Sequence, residues 1–252
     1  MVWEPETKTE TLFGKELRIC QARNGYRFSI DTPILAYHVS LEPGEPGESG
    51  QIGVDLGAGC GVMLLLLAKR FPGATLYGIE IQDELVQLAS RNIRVNNMSD
   101  DVWIIHGDMK DSKNLIGSGV ADVVFSNPPY RPLGSGRLSP NRQRAVAKHE
   151  IRATLSDVAS AARILLKPSG RFWVVYPARR LVDLLTQMRA YCLEPKQLRL
   201  IHSNAESEAE RVLVGAVKGG NPGLAVLPPV ITHNRDGSFT AEVARMLTPN
   251  GG

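Results

Sequence analysis

Apolar residues in this chain gather in short runs closed by polar or glycine positions, and between those runs they recur at helical spacing. The runs at 52–56, 75–80, 102–106, 121–126 and 171–176 are short and read as strands buried on both faces. The segments between them, 60–70, 83–96, 151–166 and 178–190, read as helices. The third crossover, Met109–Gly119, is polar and reads as irregular, while Leu198–His202 and Arg211–Lys218 form a last pair of strands around Asn204–Glu210. Upstream, Thr11–Cys20 alternates loosely, as a strand does, and Thr32–Val39 suits a short helix with Pro33 in its first turn. A proline- and glycine-rich connector, Glu42-Pro-Gly-Glu-Pro-Gly-Glu-Ser-Gly50, leads into the core. Strand and helix alternate from about residue 51 to 191 without a linker, which predicts one doubly wound α/β domain over 51–252, with 1–50 as an extension packed on it. Trp103 and Trp173 lie within apolar strands and read as core residues.

Composition narrows the class without choosing a partner. At 252 residues the chain is long enough to bury a substantial core. A formal net charge of +3 permits nucleic-acid binding and does not demand it. Cys20, Cys60 and Cys192 are odd in number, scattered and in no metal-ligand spacing, so they read as structural thiols of a reducing cytosol and no metal is expected. The start lacks the charged and apolar regions of a secretory signal, and the longest apolar stretch, Gly61–Ala68, is too short to cross a bilayer. The expectation is a cytoplasmic protein without membrane association, for which nothing in the sequence asks for more than a monomer.

The candidate chemistry sits where the strands stop. Asn127-Pro-Pro-Tyr130 follows the run 121–126, and a prolyl pair cannot supply ladder N–H groups, so the strand ends there. Asn127 and Tyr130 are then held at a strand's carboxyl end, where open α/β sheets bind ligands. An amide acceptor, a stiff backbone and an aromatic face suit a flat, amino-bearing group such as a nucleobase; the plainer alternative is a turn that ends a strand. Upstream, Val54-Asp-Leu-Gly-Ala-Gly-Cys-Gly61 joins a strand to the helix beginning at Val62. Its glycines at 57, 59 and 61 allow a tight turn and close approach of a ligand to the backbone. Their spacing is one residue short of the dinucleotide pattern, and Asp55 before them suits a cationic ligand group. Glu80 ends the strand about twenty residues on, where doubly wound folds place a ribose-binding carboxylate. Asp108 follows a third strand and suits an adenine amino group, with a helix cap as the alternative for either acid.

Asp-Leu-Gly-Ala-Gly-Cys-Gly, Glu80, Asp108 and Asn-Pro-Pro-Tyr, in that order, resemble the class I S-adenosylmethionine-dependent methyltransferases, and the last motif those that methylate a planar nitrogen. Asn24-Gly-Tyr-Arg-Phe-Ser-Ile-Asp-Thr-Pro-Ile-Leu-Ala36, Ala147-Lys-His-Glu150 and the ending Val212-Leu-Val…Leu227-Pro-Pro-Val-Ile231 resemble the tRNA adenine-N6 methyltransferases that modify the base beside the anticodon of a valine tRNA. The likeness runs from about residue 11 to 246. It implies a Rossmann-like fold with a seven-stranded, mostly parallel sheet, an antiparallel C-terminal strand and helices on both faces. It also implies S-adenosylmethionine as cofactor, tRNA as partner, Asn127 among the cofactor-binding as well as the catalytic residues, and a methyltransferase domain over 51–252.

Two segments are read against that background. Residues 131–152 hold six Lys or Arg against one Glu, and Arg131, Arg137, Arg142, Arg144 and Lys148 are candidates for gripping RNA phosphates, the alternative being a solvated loop. His149 and Glu150 read as loop anchors, not as acid and base. In Tyr26-Arg-Phe-Ser-Ile-Asp31, one reading closes the segment over the cofactor, with Arg27 beside it and an aromatic covering the methionine end. The other puts both aromatics in the core and pairs Arg27 and Asp31 at the surface.

The expected chemistry is electrostatic positioning. The exocyclic nitrogen of adenine is a poor nucleophile, and acceptors at Asn127 and the Pro128 carbonyl would favour a localised lone pair and offset the positive charge that develops on it. Tyr130 would stack on the base. No general base is needed before transfer. The rival readings are a protein glutamine-N5 methyltransferase, an rRNA guanine-N2 methyltransferase, and a non-catalytic RNA- or nucleotide-binding module.

Overall fold

The computed structural model describes residues 7–12, 16–22, 29–41, 50–128 and 153–248. Its main sheet carries strands β3 (Ile52–Leu56), β4 (Thr75–Glu80), β5 (Val102–His106), β6 (Ala121–Ser126), β7 (Leu166–Pro177), β8 (Leu193–His202) and β9 (Ala209–Lys218). Two-residue strands β10 (Ala225–Val226) and β11 (Val230–Ile231) lie parallel along β8. The order across the sheet is β10-β8-β9-β7-β6-β3-β4-β5. Only β9 is reversed, antiparallel to both β7 and β8. The expected seven-stranded sheet is therefore present, extended to nine strands by β10 and β11.

Alternation along the strands assigns the two faces. Val123, Phe125, Trp173 and Val175 point into one core, with α1 (Asp31–His38), α2 (Val62–Arg70), α3 (Asp83–Val95) and α7 (Ala241–Met246). Val54, Val124, Phe172 and Val174 point into the other, under α5 (Leu155–Leu165) and α6 (Leu181–Ala190). A small α4 (Ser112–Leu115) follows a 3-10 turn over Met109–Asp111 in the crossover read as irregular. The middle of α2 has no polar side at all. Leu64, Leu65, Leu66 and Leu67 are all fully buried, as a helix covered on every side requires.

The path turns back at β3. From it the chain proceeds to β4 and β5 on one side, then returns to β6 and β7 on the other. The carboxyl ends of β3 and β6 thus flank the switch point, the crevice in which such sheets bind ligands. Gly78 in β4 lets the loop after β3 settle close to the sheet. A Cβ there would stand 2.7 Å from both the Ala58 Cβ and Leu64 Cδ1, and 2.9 Å from Ile104 Cδ1. Gly78→Ala is expected to destabilise the protein by about 1–3 kcal/mol through overpacking, read as a lowered melting temperature; an unchanged melt would refute this packing.

Several sequence expectations need correction. The single strand expected over 11–20 is a hairpin, β1 (Thr7–Leu12) paired antiparallel with β2 (Leu17–Ala22). The helix expected over 151–166 stops at Leu165, because Leu166 turns extended ahead of Pro168 and starts β7. Trp103 is 39 % exposed and lies against Tyr77, with ring centroids 5.4 Å apart, because β5 is an edge strand of the sheet. Trp173 is in the core, and its ring is the reason position 215 is glycine: a Cβ there would lie 2.7 Å from the indole.

Residues 225–246, which hold the ending Leu227-Pro-Pro-Val-Ile231, form an arm that returns to α1. Thr240 caps α7, and Val243 and Met246 enter the same core as Ile34 and Leu35 of α1. Arg199 on β8 holds the arm in place, donating to the carbonyls of Pro228 at 2.8 Å and Pro229 at 3.4 Å and to Glu242 at 2.7 Å. It also donates to His38 Nε2 at 3.1 Å. Since a guanidinium can only donate, that imidazole is neutral, with its proton on Nδ1 bonded to the Ile34 carbonyl. Burial lowers the His38 pKa in the same sense.

Candidate active site

At Leu56 the chain must turn at once from β3 into α2. Gly57, Gly59 and Gly61 do this with φ of 81°, 57° and 81°, in the left-handed region that a side chain disfavours. Gly57 and Ala58 donate to the Ile79 carbonyl at 2.9 and 3.1 Å, which ties the loop to the end of β4. Gly59 N–H donates to Glu80 Oε2 and Gln82 N–H to Glu80 Oε1, each at 2.9 Å. Glu80, 5 % exposed, is thereby fixed across the mouth of the loop with further lone pairs on both oxygens. A Cβ placed on Gly59 would meet nothing within 4 Å, so the loop faces open space.

Asp55 is a different kind of acid. It is 3 % exposed, and among the described residues no group donates a hydrogen bond to its carboxylate. Burial, and after it the nearby charge of Glu80, pushes its pKa up to about 8. A buried carboxyl without donors favours a cationic neighbour, and a ligand with a positive group is the natural one. Asp108, after β5, accepts from Lys110 N–H at 2.9 Å and pairs with Lys110 Nζ at 3.2 Å, so it caps the 3-10 turn as well as facing the same sheet edge. Cys60, inside the loop, is buried, and burial raises its thiol to about 11, which keeps it inert.

Asn127 stands directly after β6. The Ser126 hydroxyl donates to the Leu56 carbonyl at 2.7 Å, so the ends of β6 and β3 are stitched together and Asn127 is set beside the glycine loop. Its side-chain amide is half-buried and donates to Thr32 Oγ1 at 3.3 Å. Thr32 opens α1, where the neighbouring Asp31 is also buried, accepting from the Ser29 hydroxyl at 2.9 Å and pairing with Arg211 at 3.4 Å. Asp31 therefore fastens the start of α1 to β9. Pro128 is buried beside Asn127.

The structure thus brings Asp55, Gly57, Gly59, Gly61, Glu80, Asp108, Asn127 and Pro128 to one carboxyl edge of the sheet. Arg27, Tyr130, Arg131, Arg137, Arg142, Arg144 and Lys148, with Tyr26, Phe28, His149 and Glu150, lie outside the described residues. Sequence reasoning missed Thr32 and Ser126, whose bonds link residues 70 or more positions apart. It also missed Asn92, whose signal was available: a polar residue within the apolar stripe Leu88, Ala89, Ile93 of α3. Among the described residues no group of three or more His, Cys, Asp or Glu could hold a metal ion, and no helix is long and apolar enough to cross a membrane.

Comparison with known proteins gives this geometry a context. Residues 30–190 match the family described as the methyltransferase small domain. A protein of Porphyromonas gingivalis named tRNA1(Val) (adenine(37)-N6)-methyltransferase is 30 % identical over 246 residues, covering 96 % of this chain and 94 % of that one. Among solved structures, a predicted O-methyltransferase from Agrobacterium tumefaciens superposes with a TM-score of 0.68 at 18 % identity, over 87 % of this chain and 96 % of that one. Geranyl diphosphate C-methyltransferase from Streptomyces coelicolor, solved with S-adenosyl-L-homocysteine, superposes with a TM-score of 0.55 at 15 % identity, over 75 % of this chain and 76 % of that one. The two structures share the fold with this chain.

Proposed function

This chain belongs to the methyltransferase small domain family, and from that premise we propose that it moves a methyl group from S-adenosylmethionine to the exocyclic N6 of an adenine in tRNA, the adenine beside the anticodon of a valine tRNA. The observation that carries the reading is the stitching of Asn127 to the glycine loop through Ser126 and Leu56, which sets an amide acceptor beside the side of the loop that faces open space at Gly59. The name of the Porphyromonas relative, alike over nearly the whole chain, supports the choice of adenine and tRNA. S-adenosylmethionine, when bound, supplies a methyl group on a sulfonium.

The chain's own residues account for the rest. Asp55 receives the cationic amino end of the cofactor, Glu80 accepts from a vicinal diol, and Asp108 accepts from an adenine amino group. Gly57, Gly59 and Gly61 keep the loop free of side chains where the ligand lies. At the target base, the Asn127 side-chain oxygen and the Pro128 carbonyl accept from the N6 amino group. They localise its lone pair and stabilise the positive charge that builds as the nitrogen–methyl bond forms and the methyl–sulfur bond breaks, after which the cationic nitrogen loses its proton to solvent. Holding nucleophile and methyl donor in line supplies much of the acceleration. Tyr130 stacks on the base and Arg27 closes over the cofactor. Arg131, Arg137, Arg142, Arg144 and Lys148 hold RNA phosphates, with an affinity that falls as salt rises.

Thr32 orients the acceptor. With Asn127 Nδ2 engaged by the Thr32 hydroxyl, the amide oxygen is turned away from α1. Thr32→Val is expected to lower kcat about tenfold, the upper worth of one part-buried hydrogen bond, and to leave cofactor affinity unchanged; Thr32→Ser restores the rate. Equal rates for the valine and serine variants would remove Thr32 from this account.

The activity is tested by incubating the protein with methyl-labelled S-adenosylmethionine and unmodified bulk tRNA, then digesting to nucleosides. Labelled N6-methyladenosine is the expected product. Label in guanosine, or in protein and not in RNA, would overturn the proposed substrate.

A further inference from the structure

One buried side chain of α3 bonds both the N-terminal hairpin and the glycine loop. α3 turns Leu88, Ala89, Asn92 and Ile93 inward, and Asn92 is fully buried among them. Burying an amide is costly unless its hydrogen bonds are replaced. Here they are. Cys20 N–H donates to Asn92 Oδ1 at 2.8 Å, and Asn92 Nδ2 donates to the Cys20 carbonyl at 3.0 Å and to the Cys60 carbonyl at 2.9 Å. One turn along, Asn96 makes the same two-point contact with Arg18, accepting from its N–H at 2.9 Å and donating to its carbonyl at 2.8 Å. Four residues of helix rise about 6 Å and two residues of strand about 6.6 Å. The pair at 92 and 96 therefore matches successive outward-facing backbone groups on the edge of β2, as a neighbouring strand would.

Only Asn92 reaches further, to the carbonyl between Gly59 and Gly61. That bond fixes the Cys60–Gly61 peptide and, with it, the turn that aims Gly59 N–H at Glu80. Gly61 is also where α3 comes closest, since a Cβ there would lie 3.2 Å from the Ala89 Cβ. We propose that Asn92 is a positioning residue for the cofactor loop, one amide that couples the N-terminal hairpin to the loop, so that cofactor binding and the order of the hairpin favour each other. The proposal rests on the reading of Gly57–Gly61 as the cofactor loop.

The test compares full-length wild type, Asn92→Ala and Asn96→Ala by titration with S-adenosylhomocysteine, alongside steady-state kinetics. Asn92→Ala is expected to raise the Kd and the KM for S-adenosylmethionine about tenfold with little change in kcat. Asn96→Ala removes only the Arg18 contact and does not touch the loop, so it is expected to loosen the hairpin and raise Kd far less than Asn92→Ala does. Equal affinity in Asn92→Ala and wild type, or an equal loss in both variants, would overturn the proposal. Should Asn92→Ala fail to fold, hydrogen exchange on the wild type decides: saturating S-adenosylhomocysteine is expected to slow exchange across Leu17–Ala22 together with the loop. Unchanged exchange in that strand would overturn the coupling. If wild type bound no S-adenosylhomocysteine at all, the cofactor reading itself would fall, and this inference with it.

Discussion

Asn127→Ala is expected to cut methyl transfer by about two to three orders of magnitude while S-adenosylhomocysteine binds as it does to wild type. The separation follows from where the residue sits. Asn127 lies after β6, tied to Thr32 at 3.3 Å, whereas Asp55, Glu80 and Asp108 stand at or beside the ends of β3, β4 and β5. Its amide oxygen is assigned to the target amine, whose charge changes only as the new bond forms. Removing that acceptor therefore raises the barrier without weakening the ground-state grip on the cofactor. Asn127→Asp makes a sharper variant, because it keeps an acceptor and loses the donor to Thr32. It is expected to retain more activity than the alanine variant. Single-turnover rates at saturating tRNA are the measurement, and normal turnover by Asn127→Ala would sink the mechanism.

Cofactor affinity is expected to rise roughly tenfold between pH 6.5 and 8, with release of a proton on binding. The cause is Asp55. In the folded protein without ligand its pKa stands at about 8, against an ordinary value of 3.8, because burial and then Glu80 oppose its charge. Between those values the folded protein holds a proton that the unfolded chain gives up. The stability associated with it is complete below the lower value and is lost as pH rises through the upper one. A cation seated on Asp55 reverses the balance by favouring the ionised form, so binding below pH 8 must expel that proton. Calorimetry in two buffers of different ionisation enthalpy counts it directly. Asp55→Asn should flatten the profile and weaken binding about thirtyfold, the worth of a hydrogen bond to a charged group. Affinity independent of pH, with no proton released, would remove Asp55 from the cofactor site.

Strands β3 to β6 were legible residue for residue, because each is an apolar run stopped by a glycine or a polar residue. The placement of Asp55, Glu80 and Asn127 at one sheet edge followed from the same pattern, since each stands at or just beside the point where a run ends. What escaped has physical reasons. The hairpin was read as one strand because the sequence between β1 and β2 carries no breaker stronger than Gly14. Two-residue strands such as β10 and β11 are too short to show alternation. Trp103 is apolar whether its strand lies in the middle or at the edge, and only the sheet order decides its exposure. Thr32 acts through a partner distant in sequence, which spacing along the chain does not reveal, whereas Asn92 carried a signal as a polar residue in an apolar stripe but its partners did not.

The arm that Arg199 holds against α1 has a consequence for how the protein is made. Ile34 and Leu35 are covered in part by Val243 and Met246, so α1 leaves the ribosome some two hundred residues before its last partner. Until then the helix that carries Thr32 lacks part of its packing, and contacts this distant in sequence form late and slowly. Nascent chains stalled short of α7 should therefore bear an exposed apolar face and attract chaperones. Catalytic competence then waits on the docking of that distant helix, however early the glycine loop and its strands have formed.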